Sequence, residues 1–177
     1  MQHLWSFTKE AMPFVGPFVS GLVAAFIIHL LTRARDREAR KAERESLVIE
    51  RRKEFQRETL LAVQDQAQKM ISATGCGHRL DVIALNESGK TAAWPNDLTD
   101  AFSSARDQVK ILAVRLRSKS VRQHLSTLQE NCVLATHDFP TLENSKIAMR
   151  VANETFRLLN DQIGQELAAL DTFEQIK

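Results

Sequence analysis

The sequence lacks the short motifs that mark most catalytic and cofactor-binding sites. It contains no GxGxxG or GxxxxGK[ST] phosphate-binding loop, no HExxH zinc motif, no GxSxG nucleophile motif and no CxxC pair. The Glu-x-x-His pairs that build di-iron sites in helical bundles are missing as well. These absences disfavour catalysis, so we predict a non-enzymatic protein that uses no cofactor.

Cysteine is scarce, and Cys76 and Cys132 lie far apart in the sequence. Their spacing argues against a disulfide framework and against a zinc ribbon. With His78 and His137 the two thiols would make a zinc set of suitable softness and number. Neither Cys–His pair has ordinary ligand spacing, and Cys132 falls on an apolar stripe where cysteine packs as a small hydrophobic residue. We therefore expect no metal site.

Net charge is also low, at +2 for the 177-residue chain, which does not indicate a nucleic-acid-binding protein. Basic residues do cluster around one predicted helix junction, and aromatic residues that could stack on bases are lacking there. The cluster comprises Arg106, Lys110, Arg115, Arg117, Lys119 and Arg122. We interpret it as solvated helix surface and expect no nucleic-acid partner.

One long run of the sequence, residues 11–32, carries no Lys, Arg, Asp or Glu. As a helix it would measure about 33 Å, enough to cross a hydrocarbon core of about 30 Å. A cleaved signal peptide, the alternative, would need a basic start and a shorter apolar stretch, and here only Lys9 precedes the run. We predict one transmembrane helix at 11–32, preceded by a short external N-terminus at 1–10.

Basic residues are concentrated on the C-terminal side of this run. Because cytoplasmic flanks carry the excess of Lys and Arg, the N-terminus is expected outside and the C-terminal part in the cytoplasm. These side chains could also adhere to anionic lipid, although a topology signal combined with solubility explains them equally well. The membrane-proximal basic residues are Arg33, Arg35, Arg37, Arg40, Lys41 and Arg44.

Small residues recur on one face of the predicted span, opposite a face of Phe and Leu side chains. Small residues at four-residue spacing let two helix backbones approach closely, whereas bulky residues suit lipid. The pattern therefore predicts a homo-oligomer, the alternative being chance in a composition ordinary for spans. The predicted association face comprises Gly16, Ser20, Gly21, Ala24 and Ala25.

The composition and apolar periodicity of the remaining residues predict helices. Residues 33–54 are rich in charged helix formers and predict a solvated stalk, which continues from the span. From Phe55 an apolar stripe runs to Ala84 without losing phase across Gly75 and Gly77. We predict one helix to about residue 87 with the glycines at a close crossing; a break at the glycines is the alternative. A loop follows at 88–96, where Trp94 could cover the end of the core.

Three further helices complete the predicted bundle, and no segment alternates with the period of a strand. Expected helix caps are Asn96 or Asp97 for the second helix and Ser120 for the third. The predicted core stripes are Leu98, Ala101, Phe102, Ala105, Val109, Leu112 and Leu116; then Val121, Leu125, Leu128, Cys132 and Ala135; then Ala148, Val151, Thr155, Leu158, Leu159, Ile163, Leu167 and Leu170. The predicted fold class is all-α, with an antiparallel bundle of about four helices spanning 55–177.

The order of these parts, a span, an Arg/Glu-rich helix and then FQRETLLAVQD at 55–65, resembles small bacterial proteins with one N-terminal transmembrane helix. The resemblance extends over about residues 15–120. It implies a location in the bacterial inner membrane, and it implies no activity and no functional residue.

These observations predict a membrane-tethered helical interaction or scaffold module on the cytoplasmic face, with a protein partner that the sequence does not name. The alternative is a sensor or effector whose bundle binds a small ligand or metal and signals along the continuous helix. A polar cavity in the bundle would favour the sensor. A dry core with an exposed apolar patch would favour the interaction module.

Overall fold

A computed structural model describes the backbone of residues 2–136 and 141–172 and the side chains of residues 26–136 and 141–172. Within these ranges it contains no strand and four helices: α1 (Gln2–Ser88), α2 (Asn96–Ala113), α3 (Lys119–Leu134) and α4 (Leu142–Thr172). The predicted all-α class with four helices is confirmed. The contacts divide the chain within α1 into two units, Met1–Arg51 and Arg52–Lys177.

The first unit contains only α1 among the described residues. The backbone is helical over the whole predicted span, 11–32, but the side chains of 11–25 lie outside the described part. Considering described residues alone, no helix combines the length and the apolar character needed to cross a membrane.

In the second unit, α1 continues through Gly75 and Gly77, so the alternative of a break there is wrong. Gly77 is buried, and a Cβ added to it would overlap the indole ring of Trp94. At Gly75 an added Cβ would stand 3.4 Å from the Met149 Cε atom. The predicted close approach therefore exists, but at Gly77 the neighbour is a loop residue and not another helix.

The end of α1 is set by Gly89. Its φ of 72° lies in the left-handed region that glycine adopts without strain, and its amide donates a hydrogen bond to the Leu85 carbonyl over 3.1 Å. The chain then reverses through residues 90–95 and begins α2 at Asn96.

Side-chain contacts fix the direction of α4 against α1. Arg57 pairs with Asp171 near the C-terminal end of α4, at 3.2 Å between Nη1 and Oδ1. His78, further along α1, hydrogen bonds to Ser145 at the N-terminal end of α4. The two helices are therefore antiparallel.

Side-chain contacts also show that α3 is antiparallel to α4. Ser118, just before α3, donates a hydrogen bond to Glu166 near the end of α4. Asn131, in the last turn of α3, donates to the Thr155 hydroxyl, which lies nearer the start of α4. Up-down-up-down connectivity with short loops follows, as expected for an antiparallel bundle.

All four helices contribute to one apolar core. Burial of these side chains is the main stabilising term for such a bundle, at roughly 25 cal/mol per Å² of apolar surface removed from water. Phe55 does not belong to the core as predicted, because 47% of its surface is exposed; Thr59 and Leu60 begin the buried stripe of α1. Fully buried members include Val63, Ala67, Met70, Val109, Val121, Leu128, Cys132, Ala152 and Leu159.

The buried face of α4 differs in part from the predicted one. Thr155, Leu159 and Ile163 are buried as predicted, but Val151 and Leu158 are 46% and 41% exposed, and Ala152 is fully buried although it was not predicted. Val151 and Leu158 therefore widen the apolar sector of the helix beyond what the bundle covers. Similarly, Ala101 of α2 is exposed and not part of the core.

The predicted caps differ from the observed ones. Ser118 caps α3, because its hydroxyl oxygen accepts from the Val121 amide over 3.3 Å. Ser120 lies two residues later and is already inside the helix. At α2 the residue before the helix is Pro95, without a side-chain cap. Asn96 and Asp97 already belong to the first turn, where the acidic side chain of Asp97 suits the positive end of the helix.

The two serines provide a matched test of the cap. Ser118→Ala removes the cap of α3 and the hydrogen bond to Glu166, so the free energy of unfolding should fall by about 1 to 2 kcal/mol. Chemical denaturation of the full chain in detergent, followed by circular dichroism, measures this loss. Ser120→Ala is the control and should change stability little; an equal loss in both variants would show that Ser118 is not the cap.

Candidate functional site

The predicted association face lies outside the described side chains, since these begin at residue 26. The basic residues that were predicted to lie near the membrane belong to the described part of α1 and are all exposed. Arg33, Arg35, Arg37, Arg40, Lys41 and Arg44 thus present their charges to the surroundings of α1, as adhesion to an anionic surface or simple solvation would each require.

An exposed apolar segment precedes these arginines. Phe26, Ile27, Ile28, Leu30 and Leu31 are between 49% and 64% exposed. Because consecutive helix positions project about 100° apart, these side chains surround the helix and do not form a single stripe. A helix that is apolar all round requires cover from lipid or from other apolar surface.

A polar cluster joins α1 to α4. The ring nitrogen Nδ1 of His78 and the hydroxyl of Ser145 hydrogen bond over 2.8 Å, and Asp81 lies one turn after His78 on α1. Burial lowers the pKa of His78 from its ordinary value; the Asp81 carboxylate opposes this shift, and Lys146 adds to it. A neutral imidazole beside a serine hydroxyl has the composition of a base and nucleophile pair.

The burial of Ser145 excludes nucleophilic attack by its hydroxyl in this conformation. Ser145 is only 1% exposed, so a substrate carbonyl cannot approach its hydroxyl. Asp81 accepts a hydrogen bond from the backbone amide of Ala92 over 3.1 Å, which ties it to the loop after α1. The hydrogen bond between His78 and Ser145 therefore serves as a polar connection between α1 and α4.

A second polar connection lies at the other end of the bundle. The Gln56 amide nitrogen donates to the Arg115 carbonyl over 3.2 Å, while its oxygen accepts from the Arg117 amide over 3.2 Å. These backbone groups belong to the connection between α2 and α3, where no helical partner satisfies them. One side chain of α1 thereby fixes the α2–α3 connection.

Asp81 is the residue that sequence reasoning missed. It is 3% exposed, and its position was recognisable because Met70, Thr74, Gly77 and Asp81 follow each other at helical spacing on the buried face. A charged residue on an apolar stripe marks either a structural hydrogen bond or a binding site. Asp81 makes one such structural hydrogen bond, in which it accepts from the Ala92 amide.

The two cysteines occupy different surroundings. Cys76 is exposed, with its sulfur 3.7 Å from an Arg79 guanidinium nitrogen, whereas Cys132 is buried in the core. His137, the fourth member of the set considered above, lies outside the described residues. Among described side chains, no group of three or more His, Cys, Asp and Glu is arranged to hold a metal ion.

The outer face of α4 carries an exposed apolar stripe. Ile147, Val151 and Leu158 lie on one side of the helix and are each more than two-fifths exposed. The ion pair between Glu154 and Arg157 lies beside them, at 2.7 Å. Isolated apolar side chains are ordinary on a surface, but a stripe along one helix suits contact with another apolar helix.

Comparison with known proteins gives no match: no family model, no curated protein and no solved structure resembles this chain.

The buried thiol of Cys132 predicts a pH dependence of stability. Burial raises its pKa from 9.0 to about 11, and a hydrogen bond with the Thr74 side chain opposes this rise. Because the folded-state pKa lies above the unfolded one, the stabilisation is complete below about pH 9 and is lost as pH rises through about 11, by roughly 2 to 3 kcal/mol. Denaturant titrations at several pH values measure this loss.

The matching variants isolate this thiol. Cys132→Ala lowers stability at neutral pH by leaving a small cavity, but it should remove most of the extra loss between about pH 8 and 11. Cys76→Ala removes the exposed thiol and should keep the wild-type dependence. If the pH dependence is the same in all three proteins, Cys132 does not titrate as described.

Proposed function

We propose that this protein is a non-enzymatic, membrane-tethered interaction or scaffold module. Residues 11–32 span a bacterial inner membrane once, with the N-terminus outside. Residues 55–177 form a helical bundle that offers a binding surface on the cytoplasmic side, and the chain assembles as a homo-oligomer. The observation that carries the proposal is apolar surface left uncovered in both units, on residues 26–31 and on the outer face of α4.

The tether is supported by three features of the first unit. The run 11–32 lacks charged residues, its last described side chains are exposed around the whole helix, and basic residues follow it directly. Lipid would cover the apolar side chains, and the basic flank would stay on the cytoplasmic side.

The binding surface is supported by the stripe on α4. Val151 and Leu158 are 46% and 41% exposed, so the bundle leaves much of their apolar surface uncovered. Covering them against a second copy would remove apolar surface from water at about 25 cal/mol per Å². The proposed partner for this stripe is therefore the same helix of another copy, which the span would hold close by.

Cys76 offers a direct test of topology, because it is exposed on the bundle while Cys132 is buried. In spheroplasts of a bacterial host, a membrane-impermeant maleimide should leave Cys76 unlabelled until the membrane is permeabilised. Western blotting of the mass shift measures the labelling.

A Gln2→Cys, Cys76→Ser variant is the topological control, and it should be labelled in intact spheroplasts. Labelling of Cys76 without permeabilisation, or release of the chain from membranes by alkaline carbonate, would contradict the proposed tether.

Self-association can be attributed to the span or to the bundle with paired variants in a bacterial two-hybrid assay of the full chain. Gly21→Leu should weaken association because bulk separates the small faces, whereas Phe18→Ala, on the face that meets lipid, should not. Val151→Glu should weaken it about tenfold, the equivalent of about 1.4 kcal/mol, by placing a charge in an apolar contact.

Asn153→Glu is the control for Val151→Glu, since residue 153 is exposed on a different side of α4. Wild-type signal in both Gly21→Leu and Val151→Glu would show that neither surface holds copies together, and it would remove the homo-oligomer from the proposal.

A further inference from the structure

The end of α2 and the start of α3 form a corner, residues 111–122, that exposes two aliphatic side chains. Val114, the residue after α2, is 83% exposed, and Ile111 in the last turn of α2 is 51% exposed. Because they are three residues apart, the two side chains lie on the same face of the helix end. Two neighbouring aliphatic side chains in water suit contact with an apolar partner.

Positive charge surrounds these aliphatic side chains. From residue 108 to residue 129 the sequence contains no Asp or Glu. Of the six clustered basic residues, Arg106 and Lys110 lie 3.9 and 3.2 Å from the Asp107 carboxylate, which compensates part of their charge. The other four are exposed, and within the described part of the chain none of them forms an ion pair. These four corner cations are Arg115, Arg117, Lys119 and Arg122.

The backbone of the corner is held in place by the rest of the bundle. Leu116 and Val121 are buried in the core, and Gln56 hydrogen bonds to two backbone groups of the corner. Ser118 caps α3 between them. Since the backbone is already fixed, little conformational entropy is lost when the corner binds a partner.

The surface of an anionic bilayer matches both properties of the corner. Lipid phosphates attract Lys and Arg side chains, and the acyl chains just beneath them accept aliphatic side chains. A nucleic acid would satisfy the charges alone, since Ile111 and Val114 have no ring on which a base could stack. The combination of charge and aliphatic surface therefore favours lipid.

We propose that the corner docks on the anionic surface of a membrane, with Ile111 and Val114 at the boundary of the acyl chains and the corner cations against lipid phosphates. This contact goes beyond the proposed tether, which holds the chain through residues 11–32. It gives the bundle its own lipid contact and leaves its other faces open to a protein partner.

An environment-sensitive fluorophore at residue 114 tests the contact. The full chain carries Cys76→Ser and Val114→Cys, so an NBD maleimide labels the corner while Cys132 stays buried. The labelled chain is reconstituted in vesicles of phosphatidylcholine with or without phosphatidylglycerol. Only the anionic vesicles should shift the NBD emission to shorter wavelength, and only there should spin-labelled lipids quench it. High salt should reduce both effects, because it screens exposed charges.

NBD on the native Cys76 is the control for the fluorophore itself. Cys76 is exposed, and it lies about 30 Å along α1 from Gln56, the residue that contacts the corner. Its emission should be the same in both kinds of vesicle.

Charge variants connect docking to the corner cations. Arg115→Gln with Arg117→Gln removes two charges and keeps the backbone groups that Gln56 contacts. In anionic vesicles the ratio of docked to undocked corner should fall about tenfold or more. Circular dichroism checks that the helices are kept, and if they are lost, Lys119→Gln with Arg122→Gln decides.

Lys90→Gln with Arg150→Gln is the matched control. It changes the net charge by the same amount at two exposed residues outside the corner, so the ratio should stay as in the wild type. An unchanged ratio in the corner variants, or equal losses in corner and control variants, would overturn the proposal.

Equal emission from residue 114 in both kinds of vesicle would overturn it too. An upright α1 would give that result, since residues 33–51 measure about 28 Å as a helix and would keep the corner off the lipid. A shift caused by a single-stranded oligonucleotide in detergent, with none from phosphatidylglycerol, would assign the corner to nucleic acid and would also overturn the proposal.

Alkaline carbonate extraction of the vesicles separates this proposal from the tether. A chain that carbonate releases, but whose label still shifts with phosphatidylglycerol, supports the docked corner and contradicts the tether. A chain that is retained while its label stays in water contradicts the docked corner and leaves the tether standing.

Discussion

The apolar stripe on the second half of α1 cannot remain in water, and its burial determines the rest of the bundle. Val63, Ala67 and Met70 are fully covered by side chains from the other three helices. An isolated helix of this kind gains little from backbone hydrogen bonds alone, so tertiary packing supplies most of its stability. Small residues on the stripe allow close packing: Gly77 leaves room for Trp94, which in turn contacts Phe102 of α2.

Apolar packing does not by itself choose how the helices are joined, and polar side chains of α1 contribute that specificity. Gln56 satisfies backbone groups of the α2–α3 connection at one end, while Asp81 holds the loop after α1 at the other. A buried donor or acceptor left without a partner costs about 1 to 3 kcal/mol, so alternative connections would be penalised at both ends. Ser118 adds a third constraint, because it caps α3 and contacts Glu166 of α4.

Periodicity predicted the fold class, the continuity of α1 and the buried stripe of α3, because in each case the apolar residues form a single sector. On α4 it predicted Leu159 and Ile163 correctly, but it included Val151 and Leu158 and omitted Ala152, because the helix carries an apolar sector wider than the bundle covers. Contact with the other helices buries Ala152 and leaves Val151 and Leu158 exposed. Ser120 was predicted as the cap of α3 because Gln123 follows it at capping-box spacing, whereas Ser118 caps the helix through its hydroxyl without a Glu or Gln three residues later. A cavity lined by Asp81, Trp94, Phe102 and Thr136 could not be predicted at all, since its residues come from separate segments that meet only after folding.

Because Cys76 is exposed, its oxidation state depends on the redox conditions of the compartment. Its thiol faces solvent while Cys132 is enclosed in the core, so the two cannot join within one folded chain. In an oxidising compartment an accessible thiol is converted to a sulfenic acid, capped by a small thiol, or coupled to the same residue of a second chain. A covalent link at Cys76 would lock pairs of bundles together regardless of which surfaces they otherwise use. A glutathione-buffered compartment keeps that position reduced, and assembly then remains reversible.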